Sequence, residues 1–235
     1  MTKGTIYLIP TELAPSTGGQ VLGQQAFDTI KRLDNYFVED IRTSRRFISS
    51  LRLGLTIEGL TFYELDKKTS AEKINEYLKL VTGGKSVGVM SEAGSPAVAD
   101  PGAALVARAH ELNLPVVPIV GPSSFLLALM ASGMNGQRFR FHGYLPIDRT
   151  KRQAALVALD KDARQLQEAQ MFMETPYRNN HLLEDILGCC NKNTRLCIAS
   201  DITGENQSIK TNTVAQWKAK KLDLHKIPTV FILQG

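Results

Sequence analysis

The chain has 235 residues, enough for one large α/β domain or two small ones, and we expect two. Hydrophobic residues make up 43% and charged residues 22%, which is typical of a folded protein and argues against disorder. The three cysteines have no C-x-x-C spacing and the histidines lie far apart, so neither a disulfide framework nor a metal site is indicated. The first apolar run is too short for a signal peptide, so we expect a cytoplasmic protein without a membrane span.

The first half of the chain alternates short apolar runs with amphipathic segments, a pattern typical of a parallel sheet covered by helices. The predicted strands cover residues 5–9, 35–38, 61–65, 86–90 and 116–119. The predicted helices cover residues 23–33, a segment carrying Ile74, Leu78 and Val81, and residues 101–112. Thr69 and Glu72 have the spacing of a capping box at the start of the second helix.

The pattern changes after an apolar helix predicted at residues 123–132. Further strands are predicted at 138–142, 171–174, 195–200, 207–211 and 229–233, and helices near 152–159, 177–189 and 214–220. Some connections are short, which favours a mixed sheet. We therefore predict an N-terminal α/β domain of residues 1–121 and a C-terminal α/β domain of residues 122–235, with a ligand cleft between them.

The loop SEAGSPAVADPG, residues 91–102, follows a buried strand and precedes a helix. In an open α/β sheet, a loop at the carboxyl end of a strand is the usual place for a ligand. Small residues let the main-chain N–H and C=O groups reach that ligand. We therefore interpret Gly94 and Gly102 as positions where the backbone conformation, and not a side chain, is needed. An ordinary turn is the alternative. The chain has no G-x-G-x-x-G after the first strand, no G-x-S-x-G and no complete P-loop.

Two stretches of the chain are strongly basic. Arg42, Arg45, Arg46 and Arg52 occur with no acidic residue between Ile41 and Ile57. Residues 138–164 contain seven basic and three acidic side chains, so positive charge is concentrated there as well. If both stretches lie on one face, they can follow a phosphate backbone; two solvated helix ends are the alternative.

Seven segments together resemble one known group. They are IYLIPT (6–11), VEDIRTSR (38–45), SEAGSPAVADPG (91–102), VVPIVGPSS (116–124), FHGYLP (141–146), METPYR (173–178) and IPTVFILQG (227–235). In this order they resemble the tetrapyrrole methylase superfamily of S-adenosylmethionine-dependent methyltransferases, and within it the small-subunit ribosomal RNA methyltransferase I family. The resemblance implies a two-domain α/β fold, S-adenosyl-L-methionine in the cleft between the domains, a homodimer and no metal.

The resemblance also implies a set of mostly main-chain contacts to the methyl donor. They are Pro10, Gly94, Ser95, Pro96, Val98, Pro122, Ser123, Ser124, Met173, Glu174, Pro228 and Thr229. If the acceptor is a ribose hydroxyl, a base should help to remove its proton, and Glu39, Asp40 and Asp100 are candidates by placement. Alternatively, Asp100 caps a helix, and Glu39 and Asp40 pair with Arg42 or Arg45.

In the ribosomal branch, basic side chains would guide RNA to the donor. The expected phosphate contacts are Arg42, Arg45, Arg149, Lys151 and Arg152. The leading hypothesis is therefore 2′-O-methylation of small-subunit ribosomal RNA. Two alternatives stay open: a related enzyme acting on a tetrapyrrole or another small molecule, and a non-catalytic protein that binds RNA or S-adenosylmethionine. PTELAPSTG stands where the branch has Pro-Thr-Pro-Ile-Gly-Asn-Leu, so the rim of the donor or substrate site is altered. SDITGEN stands where the branch has a basic run, and this loss of positive charge favours the small-molecule alternative.

Overall fold

The computed structural model describes residues 2–235, and these divide into two compact units. The first unit ends at Ser123 and the second runs from Ser124 to Gly235. Within residues 2–235, no helix is both long enough and apolar enough to cross a membrane.

The first unit contains a five-stranded sheet in which every neighbouring pair is parallel. Its strands are β1 (Ile6–Leu8), β2 (Asn35–Val38), β3 (Thr61–Glu64), β4 (Val87–Met90) and β5 (Val116–Pro118), in the order β3-β2-β4-β1-β5. The predicted parallel sheet is confirmed. Parallel strands end at one side of their sheet, so we call the loops after β1, β2, β4 and β5 (residues 9–17, 39–40, 91–101 and 119–123) the first-sheet edge.

Helices cover both faces of this sheet. They are α1 (Gly18–Val21), α2 (Gln24–Lys31), α3 (Ile41–Ser50), α4 (Ala71–Thr82) and α5 (Gly102–Glu111). Adjacent residues of a strand point to opposite faces. Accordingly, Phe37 packs in a core cluster with residues of α4 and α5, whereas Tyr36 packs in a second cluster with residues of α2 and α3.

Two helix starts in the first unit differ from the sequence analysis. Helix α4 is capped by Ser70, whose hydroxyl accepts a hydrogen bond from the Lys73 N–H at 3.3 Å, so the predicted Thr69 cap is wrong. The Thr69 hydroxyl instead bonds to Asp66. Helix α3 was not predicted; it begins directly after β2, where the Asp40 carboxylate accepts a hydrogen bond from the Thr43 N–H at 2.7 Å.

The second unit contains a mixed five-stranded sheet, as predicted. Its strands are β6 (Phe139–Tyr144), β7 (Ala169–Met173), β8 (Arg195–Ser200), β9 (Ser208–Thr213) and β10 (Thr229–Gln234), in the order β6-β7-β10-β8-β9. Only the β6–β7 pair is parallel among these described strands. Because β10 is antiparallel to β7, its first residues lie beside the last residues of β7, with Val230 opposite Met173. We call residues 173–176 and 227–229 the second-sheet edge.

The helices of the second unit are α6 (Ser124–Ser132), α7 (Arg149–Leu166), α8 (Asn179–Cys189) and α9 (Val214–Lys218). Helix α7 is longer at both ends than predicted. It starts at a cap by Asp148, which accepts from the Lys151 N–H at 2.9 Å, and it ends at Gln167 in the left-handed region. Leu156 of α7 and Leu182 of α8 are fully buried in one core cluster with Phe172 and Phe231 of the sheet.

Candidate functional site

Backbone hydrogen bonds tie three loops of the first-sheet edge together. The Thr11 N–H donates to the Gly94 carbonyl oxygen at 2.9 Å, and the Thr11 hydroxyl donates to the Ser91 carbonyl oxygen at 3.3 Å. The Ser95 hydroxyl donates to the Pro122 carbonyl oxygen at 3.2 Å. The loops after β1, β4 and β5 therefore form one connected surface.

Two glycines of this surface occupy positions where a side chain would not fit. A β-carbon at Gly121 would overlap the ring of Pro10. Gly94 has φ +76°, and a β-carbon there would lie 3.0 Å from Leu13 Cδ2. Both glycines therefore permit the loops after β1, β4 and β5 to pack closely against one another.

The predicted donor contacts of the first unit lie on this edge. Pro10 follows β1, Gly94, Ser95, Pro96 and Val98 follow β4, and Pro122 and Ser123 follow β5. Ser124 is the first residue of α6 in the second unit. Ser123 is buried, and its hydroxyl oxygen has no hydrogen-bond partner among the described residues. A ligand on this edge could supply that partner.

Asp100 organises the loop that contains it. Its carboxylate accepts hydrogen bonds from the Ala97 N–H at 2.8 Å and from the Gly102 N–H, in the first turn of α5, at 2.7 Å. Ala97 and Ala99 have φ of +65° and +61°, a conformation that these bonds help to hold. Burial raises the pKa of Asp100, while the hydrogen bonds from Gly102 and Ala97 oppose that increase. This geometry corresponds to the helix-capping alternative.

The other two candidate bases follow β2. Hydrogen bonds from Thr43 lower the pKa of Asp40, which caps α3. Glu39 is half-buried beside it. Within the described part of the chain, neither carboxylate forms a salt bridge with Arg42 or Arg45.

A cavity of about 210 Å³ lies within the first unit, between the loop after β1, one face of α3 and the start of the loop after β4. We call it the α3 cavity. Its polar lining includes Thr11, Glu12, Thr43, Arg46, Ser91 and Glu92. Thr43, Arg46, Phe47 and Ser50 follow the three- and four-residue spacing of one helix face.

Glu92 and Arg46 were not selected from the sequence. Glu92 is exposed on the surface, but partial desolvation raises its pKa and the negative charges of Asp40 and Glu39 raise it further, while a hydrogen bond with Thr43 opposes them. Arg46 lines the α3 cavity, whereas the selected Arg42 and Arg45 do not. Which of these arginines faces the cavity depends on the helical rotation of α3. The segment was not predicted to be helical, so the sequence analysis could not select Arg46. The Arg45 guanidinium instead lies 5.9 Å from the centre of the Phe62 ring.

The second-sheet edge holds a buried carboxylate. One oxygen of Glu174 accepts hydrogen bonds from the Thr175 N–H at 2.7 Å and from Arg178 at 2.6 Å. The other oxygen, Oε2, is buried and has no partner among the described residues. Burial alone would raise the pKa of Glu174, but the hydrogen bonds from Arg178 and Thr175 hold it below its ordinary value.

The remaining predicted contacts of this unit lie next to Glu174. Met173 is the last residue of β7, and Thr229, which follows Pro228, is the first residue of β10. The four predicted donor contacts Met173, Glu174, Pro228 and Thr229 therefore lie together at the second-sheet edge. The unpaired Glu174 oxygen could accept a hydrogen bond from a ligand there.

Arg152 does not have the surface position predicted for a phosphate contact. It is only 5% exposed, and its Nε and Nη2 donate to Asp185 Oδ2 at 2.9 and 2.6 Å. Its Nη1 donates to the Ile147 carbonyl oxygen. The prediction for Arg152 is therefore wrong, because the guanidinium is already used inside the unit. Arg149 keeps 72% of its side chain exposed, and Lys151 is exposed.

No group of three or more His, Cys, Asp or Glu side chains in residues 2–235 is arranged to hold a metal ion. The chemistry of these two edges consists of main-chain groups, hydroxyls such as that of Ser123, and carboxylates, whereas the exposed basic side chains lie outside the edges, on α3 and α7.

Residues 22–218 match the family model of the tetrapyrrole (corrin/porphyrin) methylases. Curated relatives include two proteins named ribosomal RNA small subunit methyltransferase I. The one from Streptococcus pyogenes serotype M6 is 33% identical over 188 residues, which cover 80% of this chain and 61% of that protein. The one from Bacillus subtilis is 30% identical over 216 residues, which cover 91% of this chain and 68% of that protein. The chain thus spans about 61% of the length of the first of these relatives.

Solved structures with a similar fold include the methyltransferase CobJ, with a TM-score of 0.65 and 17% identity over 100% of this chain and 95% of that one. Uroporphyrin-III-C-methyltransferase from Thermus thermophilus has a TM-score of 0.56 and 16% identity over 99% of this chain and 93% of that one. At these identities the likeness concerns the fold, and it confirms the predicted two-domain α/β class.

Proposed function

The chain belongs to the tetrapyrrole methylase family, and from this premise we propose that it is an S-adenosylmethionine-dependent methyltransferase acting on a ribose 2′-hydroxyl of small-subunit ribosomal RNA. The names of the curated relatives support the RNA substrate. The observation that carries the proposal is the first-sheet edge, where the loops after β1, β4 and β5 are hydrogen-bonded into one surface and the buried Ser123 hydroxyl has no partner among the described residues.

The residues of this edge fit a donor that is bound chiefly through peptide groups. The buried Ser123 hydroxyl lacks a partner among the described residues, and Gly94 and Gly121 let the loops of this edge pack closely against one another. We propose Met173, Glu174, Pro228 and Thr229 as further donor contacts, since the free Glu174 oxygen can accept from a ligand hydroxyl or amine. The bound donor supplies a methyl group activated by a positively charged sulfur, so the protein's main task is alignment.

Exposed basic side chains support binding of RNA. Arg42 and Arg45 lie on the exposed surface of α3, and Arg149 and Lys151 lie in the first turn of α7. Arginine and lysine at such positions neutralise phosphates without reading the base sequence. We assign these four side chains to phosphate contact, and we omit the buried Arg152.

Two measurements test the proposal. Calorimetry with S-adenosylhomocysteine should show binding to the purified chain. Mapping of ribose methylation in small-subunit ribosomal RNA should reveal at least one site that is lost in cells lacking this protein and restored by its gene. Absence of binding at millimolar ligand would contradict the donor assignment, and an unchanged methylation map would contradict the RNA assignment.

Methylation of a tetrapyrrole-like small molecule is the second candidate. It is favoured by residues 200–206, which follow β8 and contain Asp201 and Glu205 but no basic side chain. This candidate predicts S-adenosylhomocysteine binding together with an unchanged ribosomal methylation map. A protein that only binds the donor or RNA would transfer no methyl group to either substrate.

A further inference from the structure

We propose that the α3 cavity receives the ribose and an adjoining phosphate of the nucleotide to be methylated, with Glu92 as the base for the ribose hydroxyl and Arg46 as the phosphate contact. This inference rests on the proposed function, and it adds a catalytic residue and a substrate subsite.

The cavity adjoins the loops assigned to the donor. Thr11 and Ser91 line it, and the same Thr11 bonds to the carbonyl oxygens of Ser91 and Gly94. One wall of the cavity is therefore built from the loop segments that form the first-sheet edge. A hydroxyl held against this wall would be adjacent to the proposed donor contacts Pro10 and Gly94.

Two of the carboxylates near the cavity, Glu12 and Asp40, are already engaged by backbone N–H groups. Glu12 accepts from the Ser16 N–H at 3.1 Å and from the Gly18 N–H at 2.7 Å, which holds its own loop. Asp40 caps α3, and Glu39 beside it does not line the cavity. Glu92 lines the cavity without a backbone hydrogen bond to its carboxylate among the described residues, so it is the carboxylate best placed to take a proton.

The surroundings of Glu92 also favour this role. Asp40 and Glu39 approach from the end of β2, Thr43 and Arg46 from α3, and Glu12 from the loop after β1. Partial desolvation and the two negative charges raise the pKa of this exposed carboxyl above its ordinary value. A carboxylate with a higher pKa is a stronger base, provided that it is ionised at the working pH.

Arg46 supplies the opposite charge on the helix face that lines the cavity. None of the salt bridges in residues 2–235 involves Arg46. Its guanidinium is therefore available to bind a phosphate through paired N–H donors. An anion contact at Arg46 and a proton acceptor at Glu92 match the two chemical needs of a nucleotide whose ribose is methylated.

The transfer balances without a further reactant. The ribose oxygen forms a bond to the methyl carbon as the carbon–sulfur bond breaks, and the sulfur keeps that electron pair, which leaves S-adenosylhomocysteine. The hydroxyl proton passes to the Glu92 carboxylate and is later released to water. Glu92 thereby returns to the ionised state required for another turnover.

The test compares Glu92→Gln and Arg46→Ala with two surface controls, Glu58→Gln and Lys79→Ala. The probe is small ribosomal subunits from cells lacking this protein, with labelled S-adenosylmethionine, in single turnover. Glu92→Gln should lower the transfer rate by about 100- to 10,000-fold, the usual range for loss of a general base. Arg46→Ala should raise the half-saturating subunit concentration by roughly 10-fold, in line with loss of a charged hydrogen bond. Both controls should behave as wild type.

Binding and pH data separate a base from a structural residue. S-adenosylhomocysteine affinity should stay within about 2-fold in Glu92→Gln, and the acid limb of the wild-type rate profile, where Glu92 becomes protonated, should disappear. Loss of that affinity, or a transfer rate within about 3-fold of wild type, would overturn the Glu92 role. An unchanged half-saturating concentration in Arg46→Ala would overturn the phosphate subsite. If wild type itself neither binds S-adenosylhomocysteine nor methylates the subunits, the proposed function fails first and this inference fails with it.

Discussion

The two units bury different kinds of polar group. Among the described residues, the buried polar side chains of the first unit are all hydroxyls, such as Thr11 and Ser91. The second unit also buries charged side chains, namely Arg152, Asp160, Glu174 and Asp185. The first-sheet edge therefore depends on close backbone packing, whereas the second unit depends on charges that compensate one another. Substitutions that add a β-carbon should therefore destabilise the first-sheet edge, and substitutions that remove a buried charge should destabilise the second unit.

The largest effect on stability is expected from Arg152→Ala in the second unit. Asp185 is buried, so removal of Arg152 leaves its charge paired only with the largely exposed Arg149 and removes both hydrogen bonds that Oδ2 accepts. The free energy of unfolding should fall by about 3–5 kcal/mol, measured by chemical denaturation. Arg149→Ala is the matched control: Arg149 contacts the same carboxylate but is 72% exposed, so the loss should be below about 1 kcal/mol. Equal losses in the two variants would contradict this picture.

The same pair predicts a dependence on pH. Burial alone would raise the pKa of Asp185, but hydrogen bonds from Gln153, Arg152 and Arg149 hold it below the ordinary 3.8. The stabilisation is therefore fully present above the ordinary value and is lost as pH falls through the lower folded value. The difference in unfolding free energy between wild type and Arg152→Ala should narrow as the pH is lowered below about 3.8. A difference that stays constant through this range would show that the ion pair is not its source.

In the first unit, Gly121→Ala should have the largest effect. The added β-carbon would overlap Pro10, so the loops after β1 and β5 must separate. We expect a loss of about 1–3 kcal/mol in unfolding free energy, the usual cost of overpacking. S-adenosylhomocysteine affinity, measured by calorimetry, should fall by at least roughly 10-fold, because misplacing a binding loop has disproportionate effects. Gly59→Ala is the control, since a β-carbon there meets no atom within 4 Å among the described residues.

Much of the fold could be predicted because both units follow strong local patterns. Alternating strands and helices predicted the parallel sheet, and short connections predicted the mixed one. Helix α3 was missed although its polar and apolar faces are clearly separated: only two residues connect it to β2, and its three exposed arginines made the segment look like a basic stretch rather than a helix. The start of α4 was placed one residue early because Thr69 and Ser70 are both capable caps.

The candidate site was predictable where it is formed by loops with a clear sequence pattern. It was not predictable where a side chain interacts with a residue far away in the sequence. Glycines and prolines mark the loops around Gly94 and Gly121, and the parallel strand order brings these loops to one edge. Arg152 appeared to be a surface cation because its partner, Asp185, lies 33 positions away in the sequence. Glu92 was missed because its raised pKa depends first on partial desolvation in the folded chain and then on Asp40 and Glu39, which follow a different strand.

Glu174→Gln should have a moderate effect at the second-sheet edge. The amide keeps the shape of the side chain but removes the charge that pairs with Arg178. We expect a loss of about 1–2 kcal/mol in unfolding free energy, less than for a fully buried pair, because Arg178 is 35% exposed. If Glu174 also binds the donor, S-adenosylhomocysteine affinity should fall in parallel in calorimetry. A loss of stability with full affinity would remove Glu174 from the donor site while leaving its structural role.

The smallest effect on stability is expected from Arg45→Ala, on the exposed surface of α3. Its guanidinium lies 5.9 Å from the centre of the Phe62 ring, a contact that contributes at most about 0.5–1 kcal/mol at an exposed position. Its effect on RNA binding should be larger, because loss of one phosphate contact reduces the slope of log affinity against log salt by about 0.7–1. Filter binding of small-subunit ribosomal RNA across a salt series measures that slope.

Lys79→Ala is the matched control for Arg45, because it removes one positive charge from α4, which packs in the other core cluster of the same unit. If both variants reduce the slope equally, net charge rather than the α3 surface attracts RNA, and Arg45 loses its assigned role. If only Arg45→Ala does so, the phosphate path follows α3, the helix whose other face lines the cavity with Arg46. A single ten-residue helix would then place one arginine on the RNA backbone and another beside the ribose that is methylated.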